Sequence, residues 1–180
     1  ISKSEALLNI HFPKSQKLLS LSQFRLKFEE LFYIQLQLIL KNIIHKSKIK
    51  GYRFETVGSY FNTFYKEHLP FELTNAQKRV LKEIRIDMGS NAQMNRLLQG
   101  DVGSGKTIVG LMSMLIAIDN KFQATLMAPT EILSFQHYNR LKPFCDKIGV
   151  KIGLLTGSTK TAARRTIHEQ LESGELQIII

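Results

Sequence analysis

Gly100-Asp101-Val102-Gly103-Ser104-Gly105-Lys106-Thr107 fits the pattern G-x-x-x-x-G-K-[ST] at every fixed position. A side chain at the glycines would keep the backbone from wrapping a phosphate, whereas bare amides can turn inward and donate to its oxygens. Ahead of the loop, Asn95-Arg96-Leu97-Leu98-Gln99 reads as a short strand. Behind it, the apolar run to Ile118 reads as a helix whose positive dipole end lies near Lys106. Strand, glycine-rich turn and helix are the context such a loop requires. Lys106 is then a point charge for the β- and γ-phosphates, and the Thr107 hydroxyl a ligand for Mg²⁺. The competing reading is a glycine-rich turn with no ligand.

The pattern on either side of the loop sets the fold class. Thr74 to Ile86 predicts a helix with Ala76, Val80, Leu81 and Ile84 on one face. Gln123 to Ala128 predicts a strand, and a helix starts at Glu131 that Pro143 should kink or end. Strand Lys151 to Leu155, helix Thr161 to Ser173 ended by Gly174, and strand Leu176 to Ile180 follow. Alternating strands and helices imply an α/β fold with a parallel sheet covered on both faces. Leu111, Met112, Met114 and Leu115 are core at helical spacing.

Composition bounds the rest. The 180 residues carry 25 Lys and Arg against 15 Asp and Glu, a net charge of +10, which suits a polyanionic partner and excludes an acidic tail. The 43% of apolar residues is ordinary for a globular chain and excludes low-complexity classes. Cys145 is the single cysteine, so neither an internal disulfide nor a Cys-based zinc site forms, and a reducing, cytoplasmic setting is expected. The longest uncharged apolar stretches, 31–40 and 108–118, fall short of the roughly 18 residues of a membrane span. The opening at Ile1 and the apolar finish at Ile178-Ile179-Ile180 lead us to expect a piece of a longer protein.

Residues 1–70 are the more basic part, with a net +6 against +4 for residues 71–180. From Ser22 to Lys46 apolar side chains recur round most of the circumference, among them Phe24, Phe28, Leu31, Phe32, Leu36, Leu40 and Ile44. Ser20 with Gln23 matches a capping box, so a long helix is expected to start there and to be buried between two bodies of protein. Residues 47–70 read as an irregular connector. Its basic run, Lys46, Lys48, Lys50 and Arg53, reads better as solvated surface than as a phosphate contact.

The order and spacing of several stretches carry a resemblance. They are Phe71-Glu72-Leu73-Thr74-Asn75-Ala76-Gln77, Met94 to Gln99 running into the glycine-rich loop, Met127-Ala128-Pro129-Thr130-Glu131-Ile132-Leu133 with Gln136-His137, and Leu154-Leu155-Thr156-Gly157-Ser158. This series resembles motifs Q, I, Ia and Ib of superfamily-two DNA helicases, and its wording resembles the RecG family of ATP-dependent helicases that regress stalled forks. Glu5 to Pro13 and Arg25 to Leu31 look like the stretch joining that family's DNA-splitting wedge to its motor. The related transcription-repair coupling translocases usually carry an aromatic residue where Ser104 stands.

The resemblance implies a RecA-like motor lobe, incomplete at residues 71–180, preceded by the tail of the wedge region over 1–20 and a linker helix and connector over 21–70. It implies ATP and Mg²⁺ as cofactors, and branched double-stranded DNA as the partner of a monomeric enzyme. Phe71, Gln77 and the loop Gly100, Asp101, Val102, Gly103, Ser104, Gly105, Lys106 and Thr107 would hold the nucleotide, with Gln77 at the adenine edge and Lys106 and Thr107 catalytic. Thr130, Glu131, Thr156, Gly157 and Ser158 would meet DNA. Gln77 has a second reading as the partner of Thr74 in a capping box, Thr130 as an ordinary N-cap, and Thr156-Gly157-Ser158 as a bare turn. Arg164 and Arg165 read as a solvated helical face, and His137 as structural. Hydrolysis needs a second acidic motif, which the resemblance puts after the strand ending at Ile180, so residues 1–180 alone are expected to be inactive. The rivals are a P-loop ATPase that remodels a protein partner, and a segment serving only as scaffold or binding module.

Overall fold

The computed structural model describes the backbone of residues 1–180 and the side chains outside residues 45–48. The chain forms two compact units, Ile1–Lys50 and Gly51–Ile180. Residues 51–70, expected as a connector, therefore belong with the second unit.

In the first unit, helix α1 (Lys3–His11) opens on a capping box in which Ser2 and Glu5 satisfy each other's backbone amides. It packs along α2 (Gln16–Lys48) through the buried, small Ala6 and Ser22. Lys3 meets Glu29 at 2.5 Å and Arg25 meets the same carboxylate at 3.3 Å. The start of α2 differs from expectation. Ser15 Oγ accepts from the Leu18 amide at 3.2 Å and caps the helix, while Ser20 lies a turn inside and donates to the Gln16 carbonyl at 3.1 Å. Among the described residues the expected burial of the helix is not found: Phe24 is 70% exposed, and Phe28, Leu31, Phe32, Leu36, Leu40 and Ile44 are exposed as well. The rings of Phe24, Phe28 and Phe32 stack along the surface at 6.3 and 5.8 Å. Lys46 and Lys48 of the basic run lie outside the described side chains. Arg53 spends its guanidinium on the Gly89 carbonyl and on Glu55.

The second unit is built around α5 (Lys106–Asp119), whose Ile108, Leu111, Met112, Leu115 and Ile116 are essentially removed from solvent. Each such side chain contributes on the order of 1.5–3 kcal/mol of transfer free energy. Helix α3 (Ser59–Thr63) and a π-helical turn, Phe64–His68, sit against this core. Phe64 is fully buried, with its ring edge-on to Phe144 at 5.7 Å. The expected connector is thus partly helical, and its aromatic residues serve the core. Asp119 at the end of α5 accepts from the backbone amides of Gly58, Tyr60 and Phe61 at 2.9, 3.0 and 3.2 Å, supplying α3 with the cap that Gly58 cannot.

Helix α4 (Asn75–Met88) buries Leu81, Ile84 and Met88, whereas Ala76 of the expected face is exposed. The three parallel strands β1 (Ala124–Thr125), β2 (Ile152–Gly153) and β3 (Ile178–Ile179) lie in the order β1-β3-β2. Ile178 is opposite both Ala124 and Ile152. Helices α6 (Glu131–Lys147) and α7 (Thr161–Glu172) follow β1 and β2. Helix α6 passes through Pro143 and ends four residues later, so the proline does not terminate it. The α/β parallel-sheet architecture agrees with expectation, but one strand is missing. Asn95 to Gln99 joins no ladder among the described residues, and Arg96 instead holds the segment to α4 through Asp87 and Glu83, at 2.6 Å from each. Among the described residues, no helix is long and apolar enough to cross a membrane.

Candidate functional site

The glycine-rich loop takes its shape from two left-handed residues, Gly103 at φ +86° and Gly105 at φ +81°. Only glycine adopts both without cost, and Gly105 is also the N-cap of α5, with no side chain closing the helix end. A Cβ on Gly100 would lie 2.6 Å from Ser104 Oγ, so a side chain there would have to displace the Ser104 hydroxyl. The first turn of α5 accordingly offers its dipole end without an internal cap. Its other side is locked into the core, which fixes the loop relative to the sheet.

A cavity of about 320 Å³ lies against the loop, with Thr74, Gln77, Gly100, Ser104, Lys106 and Val109 in its wall. Asp101 lines it as well, while Val102 is fully exposed at the loop tip. Lys106 Nζ donates to the Gly100 carbonyl at 2.7 Å and to the Asp101 carbonyl at 2.8 Å, a charge held by neutral oxygens inside its own loop. Thr107 stands beside it in the first turn of α5, half-buried. Among the described residues no cluster of His, Cys, Asp and Glu has metal-ligand grouping.

Gln77 is used twice. Its Oε1 accepts from Thr74 N at 2.9 Å while Thr74 Oγ1 accepts from Gln77 N at 3.2 Å, completing the capping box, and its Nε2 donates to the Ser104 carbonyl at 2.9 Å. The structure brings Gln77 to the loop but leaves Phe71 outside that cavity. Phe71 lines a separate one of about 500 Å³ with Tyr65, Lys66, Leu73 and Lys78.

The second group of residues meets at the carboxyl ends of β1 and β2, where open parallel sheets bind ligands. Thr130 caps α6 by accepting from the Leu133 amide at 3.3 Å. Next to it, Glu131 Oε1 accepts from the Ser158 amide at 2.7 Å. That amide first, and then the Ser158 hydroxyl, hold the Glu131 carboxyl below the usual carboxylate range. Thr130, Glu131, Thr156 and Gly157 border an open cleft of about 450 Å³ together with Pro129 and Arg164. Ser158 stands at its rim through the bond to Glu131.

Arg164 is the residue that the sequence reading set aside. The residue is half-buried and its Nη2 donates to the Thr156 carbonyl at 2.8 Å, whereas Arg165 pairs with Glu169 on the exposed face. The signal lay in direction: side chains in a first helical turn lean back toward the N-terminus, here toward the Thr156 turn. His137 lines neither cavity.

Residues 74–180 match the DEAD/DEAH box helicase family. Over all of its length the chain is 44% identical to the ATP-dependent DNA helicase RecG of Synechocystis sp., and over 98% of it is 41% identical to RecG of Bacillus subtilis. It covers 22% and 26% of those proteins, about a quarter of their length. A solved structure of RecG bound to a three-way DNA junction superposes with a TM-score of 0.82 at 40% identity, covering 97% of this chain and 24% of that one. Motif order, loop geometry and these similarities agree: the chain belongs to the DEAD/DEAH box helicases, and along its whole length it is similar to RecG.

Proposed function

We propose that this chain is part of an ATP-dependent DNA helicase or translocase that acts on branched double-stranded DNA, at stalled replication forks and recombination junctions. The observation that carries the reading is the likeness, over 97% of the chain, to a RecG held on a three-way DNA junction. Residues 1–20 correspond in this reading to the tail of a wedge region, 21–70 to a linker and 71–180 to the beginning of the first motor lobe. The enzyme works as a cytoplasmic monomer.

The loop residues Gly100 to Thr107 suit a nucleoside triphosphate, since the uncapped amides of α5 and the bare glycines leave room for phosphate oxygens. Lys106 exchanges its two carbonyl partners for the β- and γ-phosphates, a stronger, charge-assisted pairing. The Thr107 hydroxyl would hold Mg²⁺, which would supply neutralisation of phosphate charge. Gln77 and Phe71 serve the nucleotide side, Gln77 by bracing the loop. Thr130, Glu131, Thr156, Gly157 and Ser158 form the DNA side, where hydroxyls and backbone amides suit sequence-independent phosphate contacts.

The test is the ATPase rate of the full-length protein without DNA, with linear duplex and with a three-way junction, taking Lys106→Ala as the blank. Stimulation strongest on the junction is expected. A rate indifferent to all three would remove the DNA reading and leave an ATPase that remodels a protein partner.

A further inference from the structure

The turn from Thr156 to Thr159 is tied within itself and from two helices. Inside it, the Thr156 amide donates to Thr159 Oγ1 at 2.9 Å, the Thr159 amide donates to the Thr156 carbonyl at 3.2 Å, and the Thr156 and Ser158 hydroxyls pair at 3.0 Å. From α6, Glu131 takes the Ser158 amide, and from α7, Arg164 takes the Thr156 carbonyl. A Cβ on Gly157 would sit 3.3 Å from Glu131 Oε1, so a side chain there would crowd the carboxylate and make it give way slightly.

The charges make these bonds informative. A carboxylate beside a path for phosphates repels them, so Glu131 is a poor DNA ligand on its own. Its acceptor oxygen is committed to the turn. Arg164 has the charge for a phosphate, yet the residue is half-buried and its Nη2 is engaged by the Thr156 carbonyl. Resting on the DNA reading above, we infer that Glu131 and Arg164 are positioning residues: from α6 and from α7 they hold the Thr156–Thr159 turn in its DNA-binding form and touch no phosphate themselves. Glu131 thereby leaves the set of direct contacts, and Arg164 enters the site as a brace.

Substitutions that separate hydrogen bonding from charge test this in the full-length protein, reading three-way junction affinity across a salt series and the DNA dependence of ATPase. Glu131→Ala and Arg164→Ala are expected to weaken DNA binding several-fold, read also as a several-fold higher DNA concentration for half-maximal ATPase stimulation. Glu131→Gln keeps an acceptor and Arg164→Gln keeps a donor, so each recovers most of the affinity, with the salt slope unchanged. Rescue by Arg164→Lys but not by Arg164→Gln, with the slope lowered by about 1, makes Arg164 a phosphate ligand and overturns its assignment. Tighter binding in both Glu131 variants makes the carboxylate a mere repulsive charge and overturns the other. Thr156→Val and Ser158→Ala keep the two failures apart. If they weaken binding while Glu131→Ala and Arg164→Ala do not, the bracing role is wrong. If none of the four matters, the DNA side itself has been misassigned. Should Arg164→Ala fail to fold, the Gln and Lys variants carry the comparison.

Discussion

Gln77 and Ser104 are 27 residues apart in the chain, yet the Gln77 side-chain amide donates to the Ser104 carbonyl at 2.9 Å. Through this bond the first turn of α4 supports the glycine-rich loop. Because the other end of the same amide completes the capping box with Thr74, a change in the loop is felt at the start of α4 and the reverse.

Removing that brace should act on nucleotide affinity. Gln77→Ala is expected to raise the KM for ATP several-fold in the full-length enzyme with a smaller change in kcat. Gln77→Glu keeps the acceptor for Thr74 but loses the donor to Ser104, so it should lose as much. Steady-state kinetics with ATP and GTP give the check: a bracing role costs both alike, whereas a loss confined to ATP would assign Gln77 to the adenine edge.

Asp119 accepts three backbone amides from residues 58–61. Asp119→Ala leaves those donors without their acceptor and should destabilise the unit by about 2 kcal/mol. Asp119→Asn retains one acceptor oxygen and should cost less. Urea denaturation of both variants measures the difference, and equal losses would mean that charge rather than hydrogen bonding matters there.

Cys145 is buried, and burial pushes its thiol from an ordinary 9.0 up to about 12. The folded protein therefore holds the proton more tightly than the unfolded chain. The resulting stabilisation is complete below about pH 9 and is lost progressively as pH rises from 9.0 toward about 12. Thermal melting of wild type and Cys145→Ala along this range should converge as pH rises. At pH 8 the native thiol should resist alkylation and become reactive in urea.

In the reading proposed above, Lys106 and Thr107 lie within residues 1–180 and the acidic motif that orients the attacking water does not. This segment purified alone is expected to show no ATP turnover above a Lys106→Ala control, in a coupled phosphate-release assay. Turnover that the substitution abolishes would mean that residues within the segment suffice.

What the sequence made legible was mostly local. The loop could be read because its glycines answer to backbone angles at Gly103 and Gly105 that few other residues adopt, and the helix after it because its apolar residues are continuous. The same holds for Thr130 and for the Thr74 box, where cap and partner are three residues apart. Tertiary competition decided the rest. Ser20 matched a capping box as well as Ser15 marks the real start, since a helix already begun a turn earlier overrides a local cap. Phe64 looked like one aromatic in a loop because its burial comes from Phe144, 80 positions along the chain. Arg164 and the unpaired segment at Asn95 to Gln99 likewise depend on partners that spacing does not reveal.

The sheet order gives chain synthesis a particular schedule. β1 and β2 do not pair with each other, and each finds its ladder only on β3, the last of the three to leave the ribosome. Until Ile178 and Ile179 emerge, helices α4 to α7 can form but have no sheet to settle on, and the apolar face of α5 waits uncovered on that side. A nascent chain halted a few residues short would hold every residue of the glycine-rich loop and of the cleft yet lack the strand that registers one against the other. Pairing of these three strands is therefore postponed until Ile178 and Ile179 are available, so β1 and β2 find their ladders together rather than one after the other.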